Sequence, residues 1–195
     1  MILAAVFTGN AGVFCWWSYV SPWLQKTGGW SSNLVPLLMM LAGFGMVIGG
    51  LIGGRITDKW RHAGTAALGQ TISCIGLLMV LLLPGNQGTT ALLTFWIAFG
   101  LFFISAPQQL LMTEAGQGGG ELIAGAAVQV AFNFGNAIGS IVGGAMLTTF
   151  SMNYRYTGLG GMPLALLAVG LLAFYSWRCE TDTDAIHRMR EIKVD

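Results

Sequence analysis

Apolar residues run along this chain in blocks of about twenty, separated by short polar turns. No charged side chain occurs in residues 63–113, 122–154 or 156–177. Blocks of this length exceed the roughly 20 apolar residues that a helix needs to cross a bilayer. Strands of a membrane barrel would be about ten residues long and would alternate apolar with polar positions, and these blocks do neither. Hydropathy and chain breakers predict six spans, at 2–24, 34–54, 63–83, 90–112, 122–149 and 157–177. The connections carry turn chemistry: Lys26-Thr-Gly-Gly-Trp-Ser-Ser-Asn33, Pro84-Gly-Asn-Gln-Gly88 and Gly116-Gln-Gly-Gly-Gly120. The predicted architecture is an all-α six-helix transmembrane bundle over 1–177, followed by a polar tail, 178–195.

Composition excludes the soluble alternatives. The 195 residues are 54% hydrophobic and 9% charged, against about 25% charged in an ordinary soluble domain. Too few polar side chains are present to cover a globule, so soluble enzymes, nucleic-acid binders and disulfide scaffolds are set aside. Cys15, Cys74 and Cys179 have no metal or redox spacing and read as reduced structural thiols; no cofactor or metal is expected. Charge placement predicts orientation. Arg55, Lys59, Arg61, Arg178, Arg188, Arg190 and Lys193 fall on one side of a six-span chain, and Lys26 and Arg155 on the other. The basic excess puts both termini in the cytoplasm. Met1 leads straight into an apolar run, whereas a secretory signal carries basic residues first; the first span is expected to be a membrane helix that lacks its normal leader.

An internal repeat sharpens the architecture. Residues 44–54, Phe-Gly-Met-Val-Ile-Gly-Gly-Leu-Ile-Gly-Gly, match 134–144, Phe-Gly-Asn-Ala-Ile-Gly-Ser-Ile-Val-Gly-Gly, at six of eleven positions. One copy is in span two and the other in span five, each the middle helix of a three-span group. Three is odd, so the second group is inverted in the membrane, a 3+3 inverted repeat. Both copies space glycine every four residues: Gly45, Gly49, Gly53 and Gly135, Gly139, Gly143. Small residues at this spacing let helix backbones approach closely in lipid. The two glycine faces have two open readings: packing inside this bundle, or docking onto a second six-span half.

Polar positions within the spans are the candidates for solute contact. Gln129, Asn133, Asn136 and Ser140 form one stripe on span five. Span four offers Gln108 and Gln109 beside Ser105 and Pro107. Span one offers Asn10, Trp16 and Trp17. Uncharged amides at this depth face either partner helices or a wet cavity. No Asp, Glu, His, Lys or Arg falls inside a predicted span, so proton coupling has no evident group in this chain. His62 and His187 lie outside the spans, which leaves an intramembrane serine protease without its base. A standalone or homodimeric six-span channel remains the alternative, although the paired Asn-Pro-Ala loops of water channels are missing. Gly54, Asp58 and Lys59 follow span two as a candidate loop motif; the alternative is a purely electrostatic anchor.

Several segments together resemble a known family. Gly9-Asn-Ala-Gly-Val-Phe14, Ser18-Tyr-Val-Ser-Pro22, Ser105-Ala-Pro-Gln-Gln-Leu110, Gly119-Gly-Glu-Leu122 and Ala131-Phe-Asn-Phe-Gly135 are similar to the C-terminal six-span half of major facilitator superfamily transporters. The branch they resemble is the bacterial sugar and drug efflux permeases of arabinose efflux type. The resemblance covers almost the whole chain. It implies spans seven to twelve of twelve, a bacterial inner-membrane location and proton-coupled export of a sugar or small amphipathic solute. It also implies a second half as partner, so the chain is expected to be a fragment or a half-transporter. Gly54, Asp58 and Lys59 are similar to the family's cytoplasmic loop motif, with Arg61 where that motif has a second glycine.

Overall fold

The computed structural model describes residues 1–180; the predicted tail from 181 onward lies outside the described residues. Among the described residues the regular structure is all helical: α1 Ile2–Trp17, α2 Val20–Lys26, α3 Val35–Thr57, α4 His62–Leu82, α5 Gln87–Phe103, α6 Ser105–Ala115, α7 Glu121–Thr149 and α8 Tyr156–Tyr175, ending in a π-helical turn Ser176–Glu180. Ser32–Thr57, His62–Leu82, Gln87–Ala115, Leu122–Thr149 and Tyr156–Glu180 are each long and apolar enough to cross a membrane. The first span is α1 and α2 in series, interrupted at Ser18 and Tyr19.

Spans one and four break in the same way. The interruptions at Tyr19 and Ile104 each lie three residues ahead of a proline, Pro22 and Pro107. Proline has no N–H for the carbonyl four residues back, so Ser18 and Phe103 lose their helical donors. Elsewhere in the spans, hydroxyls are satisfied locally. Thr8, Thr57, Thr71 and Thr94 donate to the carbonyl four residues earlier, at 2.6–2.8 Å, which is how these side chains avoid an orphan donor in lipid. Turns follow from composition too: Gly118 and Gly119 take φ of +105° and +124° between α6 and α7, backbone that favours glycine.

Packing follows the inverted repeat. The main contacts of span one are with α7 and α8, those of span four with α3 and α4, and α4 packs on α8 across the pseudo-symmetry. Residue pairs match in detail. A β-carbon at Gly45, Gly49 or Gly53 would strike the carbonyls of Phe95, Phe99 and Phe103; at Gly135, Gly139 and Gly143 it would strike those of Phe7, Ala11 and Cys15. Gly12 packs on Gly161 and Ala165, and its mate Gly100 packs on Ser73. In one pair the small residue changes sides: Gly9 fits beside Ala168, whereas Gly76 fits beside Ile97.

These contacts correct the reading of the glycine faces as docking surfaces for another half. Both stripes are consumed inside the bundle, because only glycine lets α3 and α7 lie this close to spans four and one. The sides of α3 and α7 that remain open are large and apolar. They include Leu37, Met40, Phe44, Val47 and Leu51 on α3, and Ile123, Val130, Phe134 and Ile141 on α7.

Helix α4 is held at both ends by residues flanking α8. Arg155 Nη2 donates to the carbonyls of Leu81 and Leu83 at 2.9 and 2.6 Å. At the other end, Ala63 N donates to Glu180 Oε1 at 2.7 Å, and Ser176 Oγ donates to Glu180 Oε2 at 2.7 Å. A cation at the C-terminal carbonyls and an anion at the N-terminal amides both complement the helix dipole. Spans three and six are thereby joined as a backing layer.

Candidate functional site

The breaks in spans one and four set up the site. Beyond Ile104 the chain re-enters helix as α6, and Ser105 and Gln109 lie one turn apart beside it. On α1, Asn10 and Phe14 are also one turn apart; on α7, Gln129 and Asn136 are two turns apart. These six residues, with Leu101, Phe102 and Phe132, line an open-sided cavity of about 210 Å³. Five lining side chains are neutral hydrogen-bonding groups and three are phenyl rings; none is ionisable. Asn10 is 2% exposed and its Nδ2 donates to Val6 O at 3.0 Å. Asn136 Oδ1 is buried without a hydrogen-bond partner in the protein. The lining therefore combines amides that can exchange hydrogen bonds with flat apolar faces, the usual make-up of a small-molecule pocket.

Four of the eight residues singled out from sequence as solute contacts meet here: Asn10, Gln109, Gln129 and Asn136. The other four are placed elsewhere. Trp16 is fully buried, edge-to-face with Trp23 at 5.1 Å and tilted against Trp17 at 5.9 Å. It fills the core between Val13, Leu77 and Ile97; Trp17 is half-buried against the same cluster. Gln108 is fully buried. Asn133 is exposed, turned about 60° from Asn136 on the same stripe and outside the cavity lining. Phe14, Leu101, Phe102 and Phe132 were not legible as lining, because an apolar residue in a membrane helix looks the same facing lipid, core or pocket. Gln70 was also missed, although an amide inside a charge-free span is itself a signal.

Span one's break is secured to α7. Ser140 Oγ donates to Asn136 O at 2.8 Å, so its contact with Ser18 Oγ at 2.6 Å is a bond donated by Ser18. Tyr19 OH donates to Ser140 O at 2.9 Å. The pocket residue Asn136 thus sits one turn from a two-bond latch.

The loop at the basic end holds a second cavity, of about 450 Å³, lined by Lys59, Trp60, Arg61, His62, Leu111, Glu114, Tyr175, Cys179 and Glu180. His62 Nδ1 and Glu114 Oε1 are 2.9 Å apart at its rim. Asp58 and Lys59 are exposed, and a β-carbon at Gly54 would meet nothing within 4 Å. Packing within this chain does not explain the glycine there. Among the described residues no cluster of three His, Cys, Asp or Glu could hold a metal.

The family model of the Major Facilitator Superfamily matches residues 1–192. The chain belongs to the major facilitator superfamily. Within the superfamily it is 39% identical to "Putative transporter AraJ" of Escherichia coli K12 over 175 residues, 90% of this chain and 44% of that protein. It is 27% identical to "Inner membrane transport protein YdhP" of the same organism over 186 residues, 93% of this chain and 46% of the relative. It is likewise 27% identical to "Uncharacterized MFS-type transporter YbcL" of Bacillus subtilis 168, over 90% of this chain and 45% of the relative. The chain thus spans about half the length of the curated relatives it matches. It is a multi-pass membrane protein of a transporter superfamily.

Proposed function

We propose that this chain is one half of a secondary transporter that exports a small neutral solute, sugar-like or amphipathic, across the bacterial inner membrane. The reading is carried by one observation: Asn10, Ser105, Gln109, Gln129 and Asn136 converge with three phenyl rings on one uncharged cavity. Neutral amides and flat apolar faces match a solute with hydroxyls on one side and C–H groups on the other. A cationic solute would find no counter-charge there. In this reading a second six-span half completes the cavity and covers the apolar sides of α3 and α7, and the two halves rock to alternate access. The loop of Gly54, Asp58 and Lys59 lies on the cytoplasmic side with both termini, in line with the basic excess there. Coupling to protons needs an intramembrane acid or base, and the pocket has none, so the partner half supplies it. A similar relative named an inner membrane transport protein supports the location.

The test is solute efflux from vesicles. The chain alone is expected to be inactive, and co-expression with a matching six-span half is expected to give efflux that a protonophore abolishes. In that pair, Asn136→Leu and Gln129→Leu should each lower efflux about tenfold, the equivalent of one hydrogen bond. Proton-linked efflux by the purified chain alone would overturn the half-transporter reading; unchanged efflux in both variants would overturn the pocket.

A further inference from the structure

Helix α6 lines both cavities. Ser105 and Gln109 reach the pocket, and Leu111 and Glu114, farther along, reach the second cavity. The helix is short and follows the break at Ile104. Among the described residues its one polar side-chain link to another helix is the 2.9 Å contact of Glu114 Oε1 with His62 Nδ1, at the start of α4. Neither residue serves its own helix. A cation at the N-terminus of α4 and an anion at the C-terminus of α6 each oppose the local dipole, so the contact between the helices is what favours the two together.

The inverted repeat has a counterpart at the opposite face. Pairing Gly12 with Gly100 makes Lys26 the mate of Glu114. Those glycines pack on Ala165 and Ser73, and pairing these two in turn makes Tyr154 the mate of His62. Lys26 Nζ lies 5.4 Å from the centre of the Tyr154 ring. The same two positions therefore meet at both ends of the bundle, with different chemistry. A lysine over an aromatic ring keeps its charge near neutral pH, whereas histidine is the side chain that changes charge there.

We propose that His62 and Glu114 form a pH-sensitive clasp that holds α6 to α4 at the basic end of the bundle. His62 is charged only when protonated, and a charged donor bonds a carboxylate more strongly than a neutral one. Acidification tightens the clasp until the carboxylate itself takes up a proton. Charged and titratable groups surround it from each neighbouring element: Lys59 and Arg61 from the loop before α4, and Tyr175, Cys179 and Glu180 from α8 and its π-helical turn. The two cations oppose a charge on His62 and Glu180 favours it, but both Glu180 oxygens are engaged by Ala63 N and Ser176 Oγ. Glu114 is thus the carboxylate in contact with the imidazole. A partly exposed pair of this kind shifts an equilibrium about two- to fivefold, enough to bias the position of α6. That this bears on a solute at Ser105 and Gln109 rests on the pocket reading above; the clasp itself does not.

The experiment is hydrogen exchange of the full chain in lipid nanodiscs, without solute, so a failure of the pocket reading leaves it untouched. Protection is taken relative to the unstructured chain at each pH. At residues 108–115 it should be about two- to fivefold higher at about pH 6 than at about pH 8, and at 20–26, beside the Lys26 contact, it should stay level. His62→Gln, which keeps a donor but does not titrate, should abolish the difference, and so should Glu114→Gln. His62→Tyr with Glu114→Lys copies the opposite face and should give protection that no longer responds to pH. A level response at 108–115 in the unmutated protein overturns the clasp, as does a pH response that survives in either single variant. An equal response at 20–26 would mean a change of the whole bundle and would also overturn it.

Discussion

Spans one and four are mates in the inverted repeat, and both break three residues before a proline, yet only one break is fastened. In span one, Ser18 and Tyr19 each bond to Ser140 on α7. The repeat that pairs Gly45 with Gly135 and Gly49 with Gly139 makes Gly50 the mate of Ser140. Gly50 has no side chain, and a β-carbon there would meet nothing within 4 Å. The repeat that pairs Gly12 with Gly100 makes Ala106 the mate of Ser18 and Pro107 the mate of Tyr19, so neither hydroxyl exists. Among the described residues no side-chain hydrogen bond joins α6 to α3. The same backbone plan thus carries a latched break on one side of the pocket and an unlatched one on the other. The missing hydroxyls leave the second break, which falls three residues earlier in the repeat, without a latch, and the span free of the latch is the one that brings Ser105 and Gln109 to the pocket.

The largest effect should come from the contacts the two mates share. Gly139→Val and Gly49→Val both push a branched side chain into a facing carbonyl, and overpacking of this kind costs about 1–3 kcal/mol or more. Thermal unfolding in lipid should show both variants strongly destabilised; a loss in one only would mean that the two interfaces are not equivalent.

Next comes the latch itself. Tyr19→Phe and Ser140→Ala should each cost about 1 kcal/mol, the net value of a typical hydrogen bond. Hydrogen exchange should quicken at residues 18–22 and stay unchanged at 104–108. Equal acceleration at both breaks would remove the distinction between them.

A smaller gain should follow from rebuilding the missing half of the latch. Gly50→Ser with Ala106→Ser places hydroxyls at the positions equivalent to Ser140 and Ser18. The pair should stabilise by about 0.5–1 kcal/mol and slow exchange at 104–108, with each single change close to neutral. The smallest effect is expected for Gly43→Ala, whose new methyl meets nothing within 4 Å. It should gain at most about 0.4–1 kcal/mol by restricting the unfolded chain, read as a slight rise in the unfolding midpoint.

Much of this architecture was legible in the chain. Apolar blocks free of charge must be spans, because a charge at bilayer depth is too costly to be incidental. The glycine repeat exposed the inverted plan because close helix contacts in lipid need small residues at fixed spacing. The site was legible only in part. Asn10, Gln109, Gln129 and Asn136 are amides in apolar helices, and such groups must face something polar. Where they face depends on helix rotation, which a hydrophobic-all-round helix does not encode in its pattern. Trp16 and Gln108 went into the core for the same reason, and the phenyl rings of the pocket left no trace.

Span positions, repeat and candidate amides follow from the sequence alone, since each rests on a local cost: an unpaired charge, a methyl that will not fit, an amide left without a polar partner. Which partner each helix face meets was decided only in the tertiary structure. It turned the glycine stripes inward onto spans one and four, gathered amides from three spans around one cavity and joined Ser18 and Tyr19 to Ser140. Those outcomes depend on how six helices share limited close contacts, and no single span carries that information.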